Sequence, residues 1–311
     1  MGFDPKKFKD ARVLITGGSG FLGTHLIKKL QMLGVREIIN VHRGNKSYKE
    51  LPCVMNCICD MSQPESVDRV RAMGNVDYVF NLAGLIDQRM PCLNPQDLWD
   101  ANVFSLINLT NAIDWSSVLG AVHMGTAAEY GNTQVPFNED QSLHPTSVYG
   151  WSKMASTSYA IMMTQGGYGK WCVARQFTGY GQGQTTGFIV DLVRALKRKE
   201  TFIVSPSYVT RDFIFVDDTI EGLIRLALCA HAGGEVVNLC TGKEVSIGEI
   251  ARIVHSIVGM GKIELAQKEP RKGDILRSWG STEKMEQLIG WKPSISVEKG
   301  LKITVPTISE V

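Results

Sequence analysis

Short apolar runs alternate with amphipathic stretches along the chain as far as Arg175. The runs have the length and composition of buried strands, and the stretches between them place apolar side chains three and four positions apart, as helices do. The predicted strands cover residues 13–16, 37–41, 54–59, 76–82, 118–124 and 171–175. The predicted helices cover residues 21–33, 66–73, 97–113 and 148–163. Strands that alternate with helices form a parallel sheet covered on both faces.

Beyond Arg175 the pattern loosens. Residues 178–187 are rich in glycine, and residues 211–218 predict a strand that meets a helix, with Asp217 or Asp218 as the N-cap. Two more helices are predicted over 246–258 and 282–289. We therefore predict an α/β fold with a Rossmann-type doubly wound parallel sheet and a smaller C-terminal substrate-binding lobe. The predicted boundaries are 1–177 for the dinucleotide-binding domain, to which 208–240 return, and 178–207 with 241–311 for the lobe.

The first predicted strand runs directly into a glycine-rich turn and then into a helix. Gly17, Gly20 and Gly23 follow one another at the spacing G-x-x-G-x-x-G. The first glycine permits a tight turn, the second lets the backbone approach a pyrophosphate, and the third lets the helix pack closely on the strand. Phe21 and Leu22 open the helix, whose positive N-terminal end would hold the phosphates. Because strand, turn and helix occur together, the segment predicts a dinucleotide site.

Size and charge narrow the possible functions. The chain has 311 residues and a formal net charge of +2, which gives no reason to expect nucleic acid or an anionic membrane as a partner. No apolar run approaches the roughly 20 residues that span a bilayer, and the first residues do not resemble a signal peptide. The seven cysteines are scattered, and no His or Cys pair completes a zinc pattern. We therefore expect reduced thiols, no metal and a cytoplasmic location.

Tyr149 and Lys153 are candidates for acid–base chemistry. Four positions apart on a helix, their side chains point the same way. A free tyrosine has a pKa of about 10, and a neighbouring ammonium would lower this pKa. Thr126 follows the fifth predicted strand, where its hydroxyl could hydrogen-bond a substrate oxygen that becomes negative during the reaction. The alternatives are a Tyr/Lys pair on a helix surface and a simple turn hydroxyl at a strand end.

Several motifs occur in a fixed order along the chain. They are the turn 16–23, Asn81-Leu82-Ala83-Gly84, Thr126 with Tyr130-Gly131, Tyr149-x-x-x-Lys153, and Arg211-Asp212-Phe213 with Val216-Asp217-Asp218. In this combination the chain resembles the extended short-chain dehydrogenase/reductases that modify nucleotide sugars. The resemblance covers nearly the whole chain and reaches Gly290-Trp291-Lys292-Pro293 near its end.

The resemblance implies a role for individual positions. Tyr149 would be the acid/base, Lys153 would hold the nicotinamide ribose, and Thr126 would bind the reacting sugar oxygen. The cofactor would contact Tyr149, Lys153, Gly17, Gly20, Phe21, Leu22, Gly23, Asp60 and Met61 near the adenine, Leu82, Ala83, Gly84 and Asn102, the last of these supporting the active-site helix. The substrate would contact Thr126, Thr178, Arg211 and Arg271, the two arginines gripping its diphosphate. Family members pair the helices predicted at 97–113 and 148–163 into a four-helix bundle, so a homodimer is expected.

Departures from the family pattern narrow the reaction. Family dehydratases resemble Thr-Asp-Glu where this chain has Thr126-Ala127-Ala128. Water elimination needs an acid and a base, and two alanines supply neither. Glu129 comes one position later and is expected to point to the other side of a strand-like segment. A 4,6-dehydratase, and a decarboxylase that uses a Glu at this place, are therefore disfavoured.

The end of the second predicted strand bears on the choice of cofactor. Enzymes that prefer NAD usually place Asp or Glu there to hold the ribose 2′-hydroxyl, but no carboxylate occurs between Glu37 and Glu50. Arg43 would instead suit the 2′-phosphate of NADP(H), which is the favoured cofactor. A basic loop on a solvated face is the alternative, and NAD(H) then remains possible.

The sequence thus predicts an oxidoreductase that acts on a nucleotide-diphosphate sugar. The first hypothesis is an NADPH-dependent reductase of an NDP-4-keto-6-deoxyhexose at C4. The second is an NDP-sugar 4-epimerase that uses the same residues and keeps tightly bound NAD through oxidation and re-reduction. A non-catalytic dinucleotide sensor is a hypothesis of another class, and the complete set of Thr126, Tyr149 and Lys153 argues against it.

Overall fold

The computed structural model describes residues 4–44, 51–88, 92, 94–270 and 273–310. The strands are β1 (Arg12–Thr16), β2 (Glu37–His42), β3 (Val54–Ile58), β4 (Tyr78–Asn81), β5 (Gly120–Thr126), β6 (Trp171–Gln176), β7 (Thr178–Tyr180), β8 (Thr201–Val204), β9 (Thr210–Arg211), β10 (Phe213–Phe215), β11 (Val236–Leu239), β12 (Val245–Ser246), β13 (Lys262–Leu265) and β14 (Arg277–Ser278). The α-helices are α1 (Phe21–Met32), α2 (Ser66–Arg71), α3 (Pro95–Trp99), α4 (Ser105–Ala112), α5 (Val148–Gln165), α6 (Phe188–Lys197), α7 (Val216–Leu228), α8 (Ile247–Val258), α9 (Glu283–Ile289) and α10 (Val297–Thr304).

A seven-stranded parallel sheet forms the centre of the molecule, with strand order β11-β6-β5-β4-β1-β2-β3. Each face carries its own apolar core. One core includes Leu26 and Leu30 of α1 and Leu223 of α7, and the other includes Leu106 of α4 and Ala160 of α5. The direction of winding reverses between β1 and β4, which is where doubly wound sheets bind their ligands. The predicted Rossmann-type fold is confirmed.

The helix predicted over 97–113 has an interruption. It is formed by α3, a π-helical turn at Asp100–Phe104, and α4. A π turn inserts one residue into the helical ladder and often occurs at functional sites. This turn carries Asn102, so the irregular segment lies where the sequence predicts a cofactor-supporting residue.

The prediction that Asp217 or Asp218 caps α7 is wrong. The N-cap is Phe215, because β10 runs straight into the helix and both acids fall in the first turn. Negative side chains there still favour the helix dipole. The Asp218 carboxylate instead accepts backbone N–H groups of Ser294 (3.1 Å) and Ile295 (2.8 Å), which ties the segment before α10 to α7.

Beyond residue 177 the described residues add three small sheets, β10-β7, β12-β9-β14 and β13-β8. Periodicity had not predicted most of these strands, since each has only two to four residues. The division into two domains at the predicted boundaries stays a prediction. None of the described helices is long and apolar enough to cross a membrane. All seven cysteines lie in the described ranges and are free thiols.

Candidate active site

A cleft of about 530 Å³ opens at the carboxyl edge of the central sheet, beside the ends of β1, β4, β5 and β6. It brings together residues that are far apart in the sequence. Of the predicted site residues, the cleft is lined by Gly17, Gly20, Phe21, Leu22, Gly23, Leu82, Ala83, Gly84, Asn102, Thr126, Tyr149, Lys153, Thr178 and Arg211.

The glycine turn is packed so tightly that side chains are excluded at two positions. Gly17 has φ +73°, and a Cβ on it would lie 2.7 Å from the backbone N of Ala83. A Cβ on Gly23 would lie 2.2 Å from the carbonyl oxygen of Gly17. Gly20 is the N-cap of α1, which leaves the positive end of that helix facing the cleft. The turn therefore has the shape and polarity that a pyrophosphate requires.

Asn102 connects the loop after β4 to the active-site helix. Its side chain accepts from Leu85 N (2.9 Å) and donates to Leu85 O (3.0 Å) and Ser152 Oγ (2.9 Å). Ser152 in turn donates to Tyr149 O (2.9 Å). Asn102 is 1% exposed. Its amide therefore supports both the cleft wall and α5.

A chain of buried polar side chains lies beneath the ends of β1, β4 and β5. Thr16 Oγ1 donates to Asn81 Oδ1 (2.5 Å), and Asn81 Nδ2 lies 2.9 Å from His123 Nδ1. His123 Nε2 lies 3.1 Å from Ser156 Oγ on α5. Burial and the charge of Lys153 lower the pKa of His123, so the imidazole is neutral. His123 and Ser156 are not among the residues predicted from the sequence, where the only signal for them is an isolated His within an apolar strand.

Tyr149 and Lys153 lie in the first two turns of α5, which Ser147 caps by accepting from Gly150 N (3.1 Å). A Cβ on Gly150 would lie 2.7 Å from Ala128 O, so this glycine lets α5 approach the segment after β5. This close approach brings Tyr149 beside Thr126, whose hydroxyl hydrogen-bonds it and favours its ionised form.

The pKa of Tyr149 moves in the direction opposite to the sequence expectation. Burial raises it to about 12, although the Thr126 hydroxyl opposes the shift. Burial also lowers the pKa of Lys153 to about 8. Removal from water penalises both charged forms, and burial is the largest cause of each shift. At neutral pH, therefore, Tyr149 keeps its phenolic proton, and Lys153 loses its proton at a lower pH than a free lysine does.

The prediction that Glu129 lies in a strand-like segment is wrong, but its side chain does point away from the cleft, as expected. The segment after β5 is a 3-10 turn over Ala127–Glu129, and Glu129 closes it by accepting from Thr126 N (2.9 Å). The carboxylate is fully buried and pairs with Arg175 Nε (2.9 Å). It lines no part of the cleft, whereas Ala127 and Ala128 do. The cleft wall at these positions therefore holds two methyl groups and no acid or base.

Three of the four predicted substrate residues line the cleft, and the fourth lies outside the described residues. Arg211 lines the cleft, and its Nη1 donates to Thr210 O (2.7 Å) and Ile275 O (2.8 Å), so its backbone neighbours fix the guanidinium. Burial lowers its pKa. Thr178 also lines the cleft, at the start of β7. Arg271 lies outside the described residues, and its role stays a prediction.

The residues predicted near the adenine lie outside the cleft lining. Arg43 is exposed just after β2. The Asp60 carboxylate accepts from Ser62 N (2.9 Å) and Ser62 Oγ (2.8 Å), which makes a local turn. The Met61 side chain is 6% exposed and packs in the core on the α4 side of the sheet. Their contacts with a cofactor stay predictions.

Comparisons with known proteins agree with this geometry. The sequence profile of the NAD dependent epimerase/dehydratase family matches residues 13–240. The chain is 27% identical to UDP-glucuronate 4-epimerase of Thermodesulfobacterium geofontis, with 94% of each chain covered. It is 26% identical to GDP-6-deoxy-D-mannose reductase of Pseudomonas aeruginosa, over 94% of this chain and 95% of that one. The solved structure of MoeE5 in complex with UDP-glucuronic acid and NAD superposes with a TM-score of 0.85 at 25% identity, covering 95% of this chain and 98% of that one.

The family profile spans the glycine turn, Thr126, Tyr149, Lys153 and Arg211, and the relatives match over nearly their full length. The resemblance noted in the sequence is therefore confirmed. The protein belongs to the NAD-dependent epimerase/dehydratase family.

Proposed function

We propose that this protein reduces the C4 carbonyl of an NDP-4-keto-6-deoxyhexose. The observation that carries the proposal is the convergence of Thr126, Tyr149 and Lys153 on one cleft that also contains the glycine turn. When bound, a nicotinamide dinucleotide supplies the hydride that C4 receives. A side chain at Gly17 or Gly23 would clash with neighbouring backbone, so these glycines keep the turn compact, and a compact turn at the start of α1 suits a pyrophosphate.

The chain's own residues handle the proton and the charge. Tyr149 donates its phenolic proton to the oxygen on C4 as negative charge develops there. Its raised pKa suits a donor, because the phenol keeps its proton until the alkoxide forms. Thr126 hydrogen-bonds the same oxygen, and the Lys153 ammonium stabilises the charge left on Tyr149. Arg211 holds the diphosphate of the nucleotide.

Two observations favour reduction over elimination and decarboxylation. Ala127 and Ala128 line the cleft where a dehydratase needs an acid and a base. The Glu129 carboxylate faces away from the cleft and forms an ion pair with Arg175, so it cannot replace the missing acid and base. Arg43, exposed after β2, supports NADP(H), the cofactor expected of an enzyme that consumes reducing equivalents at each turnover.

A second candidate is an NDP-sugar 4-epimerase that retains NAD. It is favoured by the UDP-glucuronate 4-epimerase relative and by MoeE5, whose structure contains NAD. In that reaction Tyr149 first accepts the proton of the C4 hydroxyl and later returns it. The same three residues serve both reactions, so the difference lies in the substrate and in the release of the cofactor.

The two candidates are separated by following nicotinamide absorbance. The purified protein is incubated with NADPH or NADH and a panel of NDP-4-keto-6-deoxy sugars, and separately with ordinary NDP-hexoses. Stoichiometric consumption of the reduced nicotinamide supports the reductase. Interconversion of NDP-hexoses without net consumption supports the epimerase, and the absence of both reactions would rule out the proposal.

We also propose a homodimer that pairs the α3–α4 segment and α5 of two copies into a four-helix bundle. The supporting observation is an outward apolar surface formed by Phe104 (45% exposed), Trp151 (51%) and Met162 (57%). Ile161, also on α5, is only partly exposed and packs against the core.

A further inference from the structure

Behind the cleft lies a buried ion pair that the proposed chemistry does not use. Glu129 is 0% exposed and Arg175 is 4% exposed, with Oε2 and Nε 2.9 Å apart. A buried ion pair contributes little net stability, because the cost of removing two charges from water offsets their attraction. Two apolar residues would fill the same space, so the charge itself needs a reason.

The Glu129 carboxylate contacts the two elements that carry the catalytic side chains. Its Oε1 accepts from Thr126 N (2.9 Å) and from Thr157 Oγ1 on α5 (3.1 Å). A Cβ on Gly125 would lie 2.9 Å from this oxygen, so the glycine before Thr126 makes room for it. The carboxylate thereby fixes the end of β5 against the helix of Tyr149 and Lys153.

Arg175 holds the carboxylate from the opposite side. Its Nη1 donates to Tyr130 OH (3.0 Å), its guanidinium lies 4.7 Å from the centre of the Tyr130 ring, and Tyr130 OH donates to Asn238 Oδ1 (2.7 Å). These contacts restrict Glu129 to one position.

We propose that Glu129 is a positioning residue, whose buried carboxylate fixes Thr126 against α5 and sets the charge balance at Tyr149 and Lys153. The inference rests on the proposed function, since it assigns Glu129 a role in that same reaction. The charge of Glu129 raises the pKa of both Tyr149 and Lys153. Both groups must be protonated for reduction, so the carboxylate extends the active form to higher pH.

The titratable and charged groups that face this site come from several elements. They are Tyr149 and Lys153 on α5, Arg175 on β6, Tyr130 after the 3-10 turn, His123 on β5, and Glu139, whose carboxylate accepts from Asn238 N. Arg175 offsets part of the Glu129 charge, but it binds the oxygen that faces away from Thr126. The neutral His123 adds no charge.

The test is Glu129→Gln, which keeps the size and the accepting oxygen but removes the charge. The Lys153 side-chain carbon is titrated by NMR in lysine-labelled protein and assigned with Lys153→Met. We expect the pKa of Lys153 to fall by on the order of half a pH unit or more. In the pH profile of kcat, the alkaline limb, over which kcat falls, should move to lower pH by a similar amount, with little change in KM. The Lys153 titration needs no substrate, so it decides the role of Glu129 even if no NDP-sugar is turned over.

Two further variants separate charge from position. Glu129→Asp keeps the charge but is one methylene shorter, so kcat should fall while the alkaline limb stays in place. Thr157→Val removes the contact between the carboxylate and α5 but keeps the charge, so kcat should fall while the titration and the limb stay unchanged. If Glu129→Gln does not fold because Arg175 is left unpaired, Glu129→Gln/Arg175→Met removes both charges and is measured instead. A folded charge-free variant whose Lys153 titration and alkaline limb match the wild type would overturn the proposal.

Discussion

The catalytic part of the cleft and the predicted adenine region, which lies outside the cleft lining, are built differently. At the catalytic end, Tyr149, Lys153 and Thr126 are 9% exposed or less, and hydrogen-bonded side chains from β4, β5, β6 and α5 surround them. At the predicted adenine end, Arg43 is exposed, and the Asp60 carboxylate binds only its own turn among the described contacts.

This difference in burial indicates which properties of the site a single substitution can change without disturbing the core. A buried group cannot lose its partner without leaving a polar atom unsatisfied, which costs about 1–3 kcal/mol or more. An exposed arginine is solvated with or without a ligand. We therefore expect the proposed chemistry at the sugar to depend on many buried contacts, and the preference between NADP(H) and NAD(H) to depend on a few exposed charges.

The largest effect should come from the catalytic end. Tyr149→Phe removes the proton donor and keeps the ring, so turnover should fall about 10²-fold or more while cofactor binding is largely retained. Steady-state kinetics and a cofactor titration measure the two quantities. Tyr168→Phe, at a tyrosine that is 68% exposed after α5, is the matched control and should behave as wild type. Near-normal turnover of Tyr149→Phe would remove this residue from the mechanism.

In the predicted adenine region, Arg43→Ala should weaken the binding of NADPH but not that of NADH. A partly exposed contact between Arg and phosphate is worth about 1–3 kcal/mol, so NADPH should bind about 10- to 100-fold more weakly. NADH has no 2′-phosphate and should be indifferent. Dissociation constants for both cofactors test this. Equal weakening of both, or a wild type that prefers NADH, would contradict the prediction and favour the epimerase.

The pH dependence should report the burial of Lys153. Reduction needs the ammonium, and because burial lowers the pKa of Lys153 to about 8, the charged form is lost as pH rises through that value. Tyr149 keeps its proton, since its pKa is raised to about 12. The rate should fall by up to about tenfold per pH unit on the alkaline side. Lys153→Met, which should be slower, should not show this fall in rate at alkaline pH. If the fall persists in the variant, the titration belongs to another group.

The smallest effect on catalysis is expected from the outer face of α5. Trp151→Glu introduces a charge into the apolar surface of the proposed dimer, so sedimentation at micromolar concentration should shift toward monomer with little change in kcat. Met32→Glu is the matched control, because Met32 is an apolar side chain on α1 that is 82% exposed. A wild-type protein that sediments only as monomer would refute the dimer.

Local patterns were sufficient where a segment's structure depends on its own residues. The strand–turn–helix around Gly17, Gly20 and Gly23 was predicted because a tight turn needs glycine wherever it occurs. The start of α5 and the spacing of Tyr149 and Lys153 followed from helical periodicity in the same way. Fourteen of the predicted site residues line one cleft. They come together there because parallel strands end at a common edge of the sheet.

The sequence by itself thus determined the α/β class and the glycine turn, and it supplied Tyr149 and Lys153 as candidates for the catalytic roles. Only the tertiary structure decided the pKa of Tyr149 and the direction in which Glu129 points. The pKa of Tyr149 rises because neighbouring elements exclude water from it. Glu129 turns inward because Arg175, 46 residues away, lies opposite it. Burial and long-range pairing depend on contacts between distant segments, and no local window of sequence contains them.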